Sequence, residues 1–209
     1  MQRMLSLFND PSDPNPEDPV HFLDDQDWVR MERLPDRLIW TREEFEEIWN
    51  SRPTEYPKLK IHGRMVKIPR WHRAYGRDYA FSGQVSEAEP IDSVFQPLLD
   101  WARETIEPRL NGLLVNWYDG AFGHYIGAHR DSESGLIPGT PIVTCSFGAR
   151  RVFRMRYWRS PQSRHDCMIE SGDCVIIPFQ TNQRWTHEVP AMKRYPGRRI
   201  SVTIRAFAG

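Results

Sequence analysis

The sequence predicts a mainly β fold with flanking helices, an all-β sandwich or barrel preceded by helical segments. Three observations carry that reading. After Leu113 the chain breaks into short runs rich in β-branched and aromatic residues. Those runs are punctuated by "DG", "PGT", "FGA", "SGD" and "YPG", the residue pairs that turns require. Before that point, two segments space their apolar residues three and four apart, as helices do. With 209 residues, 39% hydrophobic and 12% aromatic, the chain can bury one large core.

Residues 1–38 are read as a flexible acidic leader, because Asn9 to Asp27 is rich in Asp and Pro and has few apolar residues to bury. In "TREEFEEIWN", Thr41 with Glu44 three residues later forms a capping-box pattern, and Phe45, Ile48 and Trp49 make one apolar helical face. Lys58 to Arg77, "KLKIHGRMVKIPRWHRAYGR", holds seven Lys and Arg residues and no acid. A second helix is expected from about Asp92 to Glu107, with Phe95, Leu98, Leu99, Ala102 and Ile106 as its apolar stripe and Pro97 in its first turn. Residues 111–209 supply the β core, and 39–209 form one structural domain.

Lys plus Arg equals Asp plus Glu at 28 each, so no global attraction to nucleic acid or anionic membrane is expected. Three cysteines without CxxC spacing argue against a disulfide framework or a zinc ribbon, and fit a reducing compartment, nucleus or cytoplasm. No segment is apolar enough for a signal peptide or membrane span. A membrane partner is not expected, and an intact barrel points to a monomer.

The anomaly lies in the strands. In "LLVNWYDG", alternation puts Asn116 and Tyr118 on one side and Val115 and Trp117 on the other. In "RRISVTIRAF", Arg199, Ser201, Thr203 and Arg205 share one face and Ile200, Val202 and Ile204 the opposite one. An edge strand with its polar face in water would look the same. "FGHYIGAHRDSESG" adds His129 and Asp131, two apart and so on one side of an extended backbone, and "QRWTHEVP" adds His187. Two histidines and a carboxylate can hold Fe(II) on one face of an octahedron, leaving positions open for a co-substrate and O2. A His-x-Asp pair alone is a weak signal, since a lone histidine is more often structural.

The order of these features is the specific part: Asn-x-Tyr, His-x-Asp, a single later His, then Arg-x-x-x-x-x-Arg on the terminal strand. From about Lys60 to Phe207 the chain resembles the AlkB-type Fe(II)/2-oxoglutarate dioxygenases. It is similar above all to the animal and plant nucleic-acid demethylases among them, in "IPRWHRAYG", "YAFSG", "IGAHRDSE", "PIVTCSFGARRVF" and "RRISVTIR". The resemblance implies a double-stranded β-helix, a cupin-like jelly-roll barrel, with residues 39–110 forming N-terminal helices and a nucleotide-recognition lid. It implies that His129, Asp131 and His187 bind Fe(II), and that Arg199 and Arg205 engage 2-oxoglutarate with Asn116, Tyr118 and Thr203 completing its hydrogen bonds. A dianion inside a barrel must be paired, and arginine offers a planar fork that stays charged.

The reaction implied is oxidative demethylation of 1-methyladenine or 3-methylcytosine in DNA, a repair of alkylation damage that releases formaldehyde, succinate and CO2. A stacked base cannot reach such a site, so the substrate must be flipped out or single-stranded. The resemblance places Tyr79 and Phe81 against the flipped base, Glu133 at its edge and Arg70 in the lid. The basic segment, with Arg64, Trp71, Tyr75 and Tyr79, then reads as a phosphate-contacting hairpin with stacking aromatics. In "IHGR", His62 stands where duplex-repairing relatives carry a bulky wedge, which favours single-stranded over duplex DNA. RNA is an alternative substrate, a non-nucleic target of the same iron chemistry another, and a non-catalytic nucleic-acid-binding jelly-roll the alternative of a different class.

Overall fold

The computed structural model describes residues 19–61, 64–81, 84–160 and 162–208. Its strands in chain order are β1 (Val20–Phe22), β2 (Trp28–Arg33), β3 (Lys58–Ile61), β4 (Arg64–Lys67), β5 (Trp71–Tyr75), β6 (Tyr79–Phe81), β7 (Gln84–Ser86), β8 (Ala88–Glu89), β9 (Gly112–Asp119), β10 (Ile126–His129), β11 (Ile142–Gly148), β12 (Arg151–Tyr157), β13 (Arg164–Ile169), β14 (Asp173–Ile177), β15 (Trp185–Val189) and β16 (Arg198–Arg205). The helices are α1 (Arg42–Asn50), α2 (Gln96–Thr105) and α3 (Phe179–Arg184).

A large sheet runs β1-β2-β14-β11-β16-β9-β5-β8 and a smaller one β10-β15-β12-β13. From β9 onward the chain passes back and forth between them: β9, β11, β14 and β16 lie in the large sheet, and β10, β12, β13 and β15 in the small one. This is the double-stranded β-helix. Alternation decides what each face buries. Leu113, Val115 and Trp117 of β9 and Ile200, Val202 and Ile204 of β16 join Leu98, Leu99 and Ala102 of α2 and Ile48 and Trp49 of α1 in a core behind the large sheet. The opposite face of the large sheet turns toward the small one. At the β2–β14 end that interior is filled by Val29, Val175, Ile177, Phe153 and Trp185. At the β9–β16 end it is polar.

Both helices form as their spacing requires. Thr41 and Glu44 make the full capping box: the Glu44 amide donates to the Thr41 hydroxyl at 3.2 Å and the Thr41 amide to the Glu44 carboxylate at 2.7 Å. Helix α2 begins at Gln96 rather than Asp92, because the Asp92 carboxylate takes the Val94 amide at 3.1 Å and so caps a turn instead. Pro97 lies in its first turn. At the "FGA" turn, Gly148 adopts φ +84, where a Cβ would lie 2.6 Å from both the Arg198 carbonyl and the Phe45 ring, so only glycine fits.

The expected leader is corrected from residue 19 onward. Strand β2 pairs along β14, Val175 opposite Met31, and β1 folds back on β2. Val29 is fully buried, and Asp27, read as part of an acidic lead, is 1% exposed. The remainder of that leader, residues 1–18, lies outside the described residues. Two hairpins, β3–β4 and β6–β7, form two-stranded sheets of their own ahead of the barrel. Among the described residues no helix is long and apolar enough to cross a membrane.

Candidate active site

The polar end of the interior is a cavity of about 280 Å³. Histidines reach it from opposed strands: His129 ends β10, directly across from His187 on β15, and their rings lie 4.3 Å apart. Asp131 lies just past the end of β10. Its Oδ1 is 3.6 Å from His129 Nε2 and 4.0 Å from His187 Nε2. The three ligand atoms lie within 4.8 Å of one another.

Protonation suits a cation. Burial would raise the Asp131 pKa, but Arg205 and the two histidines outweigh it and hold the carboxyl down at about 2. Burial, reinforced by His129, pushes His187 down to about 3, and burial lowers His129 against the pull of Asp131. The site therefore presents neutral imidazoles and an ionised carboxylate at neutral pH. His129 Nδ1 lies 2.9 Å from the Gly127 carbonyl, so it carries the proton and leaves Nε2 as a bare lone pair. Asp131 Oδ2 accepts from Arg205 Nε and Nη2, both at 2.7 Å, while the buried Oδ1 has no hydrogen-bond partner among the described residues. An orphaned anionic oxygen beside two neutral imidazoles is the donor set a divalent metal satisfies.

Arg199 makes the other strong demand. It is 1% exposed, its Nε donates to the Ser146 hydroxyl at 2.9 Å, and Nη1 has no hydrogen-bond partner among the described residues. Burial lowers its pKa to about 10, which leaves it cationic at pH 7. The guanidinium lies 5.2 Å from the Tyr118 ring centre. A buried cation without a counter-charge is costly, and a carboxylate entering the cavity would supply one.

Asn116, Tyr118, Thr203 and Arg205 all line the same cavity. Arg205 differs from expectation. Its guanidinium is committed to Asp131 rather than standing free for a co-substrate carboxylate, and lies 4.6 Å from the Tyr79 ring. Six residues of strand, about 20 Å, separate its Cα from that of Arg199, so the two arginines bracket the cavity. Arg70 lines it too, its Nε donating to the Asn116 carboxamide at 3.0 Å, and Tyr79 forms part of the wall. Glu133 is exposed beside the cavity and accepts from the Gln183 side chain at 3.0 Å. Arg64 sits on β4, whose described residues are all exposed. His62 and the Phe81 side chain lie outside the described residues.

Sequence reasoning misses His72, Ser132 and Thr144 in the wall, and Asn182 behind Asp131. His72 is detectable only by extending strand alternation into "WHRAY". Its pKa falls to about 4, chiefly through burial and then the charge of Arg70.

The model of the 2OG-Fe(II) oxygenase superfamily matches residues 29–205. The chain belongs to that superfamily. As an oxygenase of this kind it uses Fe(II), 2-oxoglutarate and O2. It is similar to the DNA oxidative demethylase ALKBH2 of Mus musculus, 33% identical over 158 residues that cover 71% of this chain and 66% of that protein. The Homo sapiens ALKBH2 is 29% identical over 80% of this chain and 70% of its own length. The alpha-ketoglutarate-dependent dioxygenase alkB homolog 3 of Rattus norvegicus is 26% identical over 88% of this chain and 60% of that protein. This oxygenase thus spans about two thirds of the ALKBH2 proteins it matches, 66% of the mouse protein and 70% of the human one. The solved structure of OsALKBH1, 15% identical, shares the fold with a TM-score of 0.54, over 90% of this chain and 99% of that one.

The depressed histidines have a measurable consequence. In the unfolded oxygenase both His72 and His187 take up protons near pH 6.5, whereas in the fold they resist until about 4 and about 3. Between those limits the unfolded chain binds more protons at these two groups, so the stability they contribute to the metal-free protein is fully present above pH 6.5 and is lost as pH falls. The urea midpoint of chelator-treated protein is expected to drop from pH 7 to pH 5, and to drop less in His72→Asn. An unchanged midpoint in the parent protein would contradict this.

Proposed function

We propose that this oxygenase demethylates N-alkylated bases in DNA, 1-methyladenine and 3-methylcytosine, with single strands preferred to duplex. The observation that carries the reading is the wall of the cavity. Arg70, directly before β5, and Tyr79 of β6 reach into the same space as His129 and His187, so the segment ahead of the barrel and the metal-ligand set address one ligand. The names of the relatives support DNA as that ligand. So does the chemistry of β4 and its surroundings, where Arg64 and Lys67 are exposed beside the exposed apolar Met65 and Val66.

In this reading His129, Asp131 and His187 hold Fe(II), which when bound supplies the activation of O2. Arg199 anchors the remote carboxylate of 2-oxoglutarate, with Tyr118, Asn116 and Thr203 lining its chain. One oxygen atom ends in succinate as CO2 leaves; the other converts N-CH3 to N-CH2OH, which releases formaldehyde and restores the N–H. Tyr79, Phe81 and Glu133 receive the flipped base, the aromatic faces stacking on it and the carboxylate reading its edge. Arg205 keeps Asp131 ionised and aimed.

The test is mass spectrometry of 1-methyladenine oligonucleotides, as single-stranded DNA, duplex DNA and RNA, after anaerobic Fe(II) loading and aerobic incubation with 2-oxoglutarate. Loss of the methyl group from DNA, fastest from single strands, is the expected result. Succinate formation with every oligonucleotide intact would overturn the substrate and leave the iron chemistry standing.

A further inference from the structure

Helix α3 and the residue after it bond in two directions. Thr181, Arg184 and Trp185 face the turn between β1 and β2. There the Asp27 carboxylate accepts from the Thr181 hydroxyl at 3.3 Å, Arg184 Nη2 at 2.6 Å and Trp185 Nε1 at 3.1 Å, and Thr181 also reaches the Trp28 carbonyl. Asn182 and Gln183 face the loop that follows β10. The Asn182 carboxamide grips both backbone groups of Asp131: its oxygen accepts the Asp131 amide at 2.9 Å, and its nitrogen donates to the Asp131 carbonyl at 3.0 Å. Gln183 holds Glu133 through its side chain and Arg130 through its carbonyl.

Asn182 is 1% exposed and Asp131 3%. Asp131 has left the strand ladder, so no sheet hydrogen bond fixes its backbone, yet its carboxylate must point between two imidazoles. We propose that Asn182 is the positioning residue of the metal centre, fixing the backbone of Asp131, and that Asp27 anchors the helix that carries it. This rests on the reading of His129, Asp131 and His187 as metal ligands. A buried amide and carbonyl need partners in any case. The reciprocal clamp does more, because it removes rotation of the peptide on both sides of the ligand. Asparagine alone among the small side chains offers an acceptor and a donor at that spacing. The segment 19–33, by closing on α3, thereby becomes part of the metal site although none of it lines the cavity.

The experiment is anaerobic titration with Co(II) alone, following affinity and the visible spectrum. It compares the parent protein, Asn182→Ala, Asn182→Asp, Asp27→Asn, Asp131→Ala and Leu99→Ala. Leu99 lies in α2, behind the large sheet and away from the cavity, and controls for general loss of stability. Asn182→Ala is expected to weaken Co(II) by about 10–100-fold and change its spectrum, as loss of an outer partner does. Asn182→Asp keeps the acceptor for the Asp131 amide and loses the donor, so it should fall between; it also serves if the alanine variant fails to fold. Asp27→Asn should show a smaller loss of the same kind, and Leu99→Ala none. Parent-like affinity and spectrum in both Asn182 variants, or an equal loss in Leu99→Ala, would overturn the clamp. Parent-like behaviour of Asp27→Asn would overturn the anchoring. If Asp131→Ala itself bound Co(II) as the parent does, the metal reading would fail, and the clamp with it.

Discussion

Asp131→Ala is expected to reduce Fe(II)-dependent turnover by more than about 100-fold, beyond what the loss of an outer-shell partner costs, and also to destabilise the fold. The two effects have separate causes. Turnover falls because Asp131 is the anionic member of the His129, Asp131 and His187 set, and two neutral imidazoles leave a divalent cation without its counter-charge. Stability falls because Asp131 Oδ2 is the partner of two nitrogens of Arg205, itself 4% exposed. Removing one side of a buried ion pair strands the other, at a cost of about 3–5 kcal/mol.

Asp131→Asn separates the two. An amide oxygen still accepts from Arg205, so more of the fold's stability survives, while the charge needed at the metal is gone. Turnover assays, Co(II) binding and thermal melts on both variants check this. Both are expected to be inactive, with alanine the less stable. Activity in Asp131→Ala at the parent level would remove the carboxylate from the metal set.

How far the site can be read from sequence depends on what holds each residue. Arg199, Ser201, Thr203 and Arg205 are legible because a strand has period two, and all sit in β16 with their apolar neighbours in the core behind. His129 and His187 are legible as residue types, yet that they face each other follows from the pairing of β10 with β15, which no local pattern fixes. Asn182 carries no signal, because its partner is fixed by tertiary contact 51 residues away. Arg205 is legible as a cavity residue, but its commitment to Asp131 depends on where the chain places the loop after β10. Composition misleads at Asp27: an acid among acids and prolines looks solvated, but Arg184, Trp185 and Thr181 bury it from the far end of the chain. Strands as short as Val20–Phe22 give alternation too little length to show.

Arg199→Met should raise the 2-oxoglutarate requirement steeply without harming the empty protein. In the absence of co-substrate, Arg199 is a buried cation with one nitrogen unsatisfied among the described residues, held by Ser146 and by the face of Tyr118. Replacing such a group by an apolar side chain of similar length is often neutral or stabilising, so the melting temperature of the metal-free variant should stay level or rise. With co-substrate the balance reverses. A bidentate guanidinium–carboxylate contact makes two charge-assisted hydrogen bonds of about 1.5–3 kcal/mol each. Its loss should raise the KM for 2-oxoglutarate by roughly 100-fold or more, at about 1.4 kcal/mol per factor of ten. Added 2-oxoglutarate should therefore raise the melting temperature of the metal-loaded parent and leave that of Arg199→Met unmoved. Arg199→Lys, keeping a charge but losing the planar fork, should recover part of the affinity and none of the bidentate geometry. A KM unchanged by Arg199→Met would mean that the buried guanidinium serves only Ser146 and Tyr118, and that the co-substrate carboxylate is held at the Arg205 end of the cavity instead.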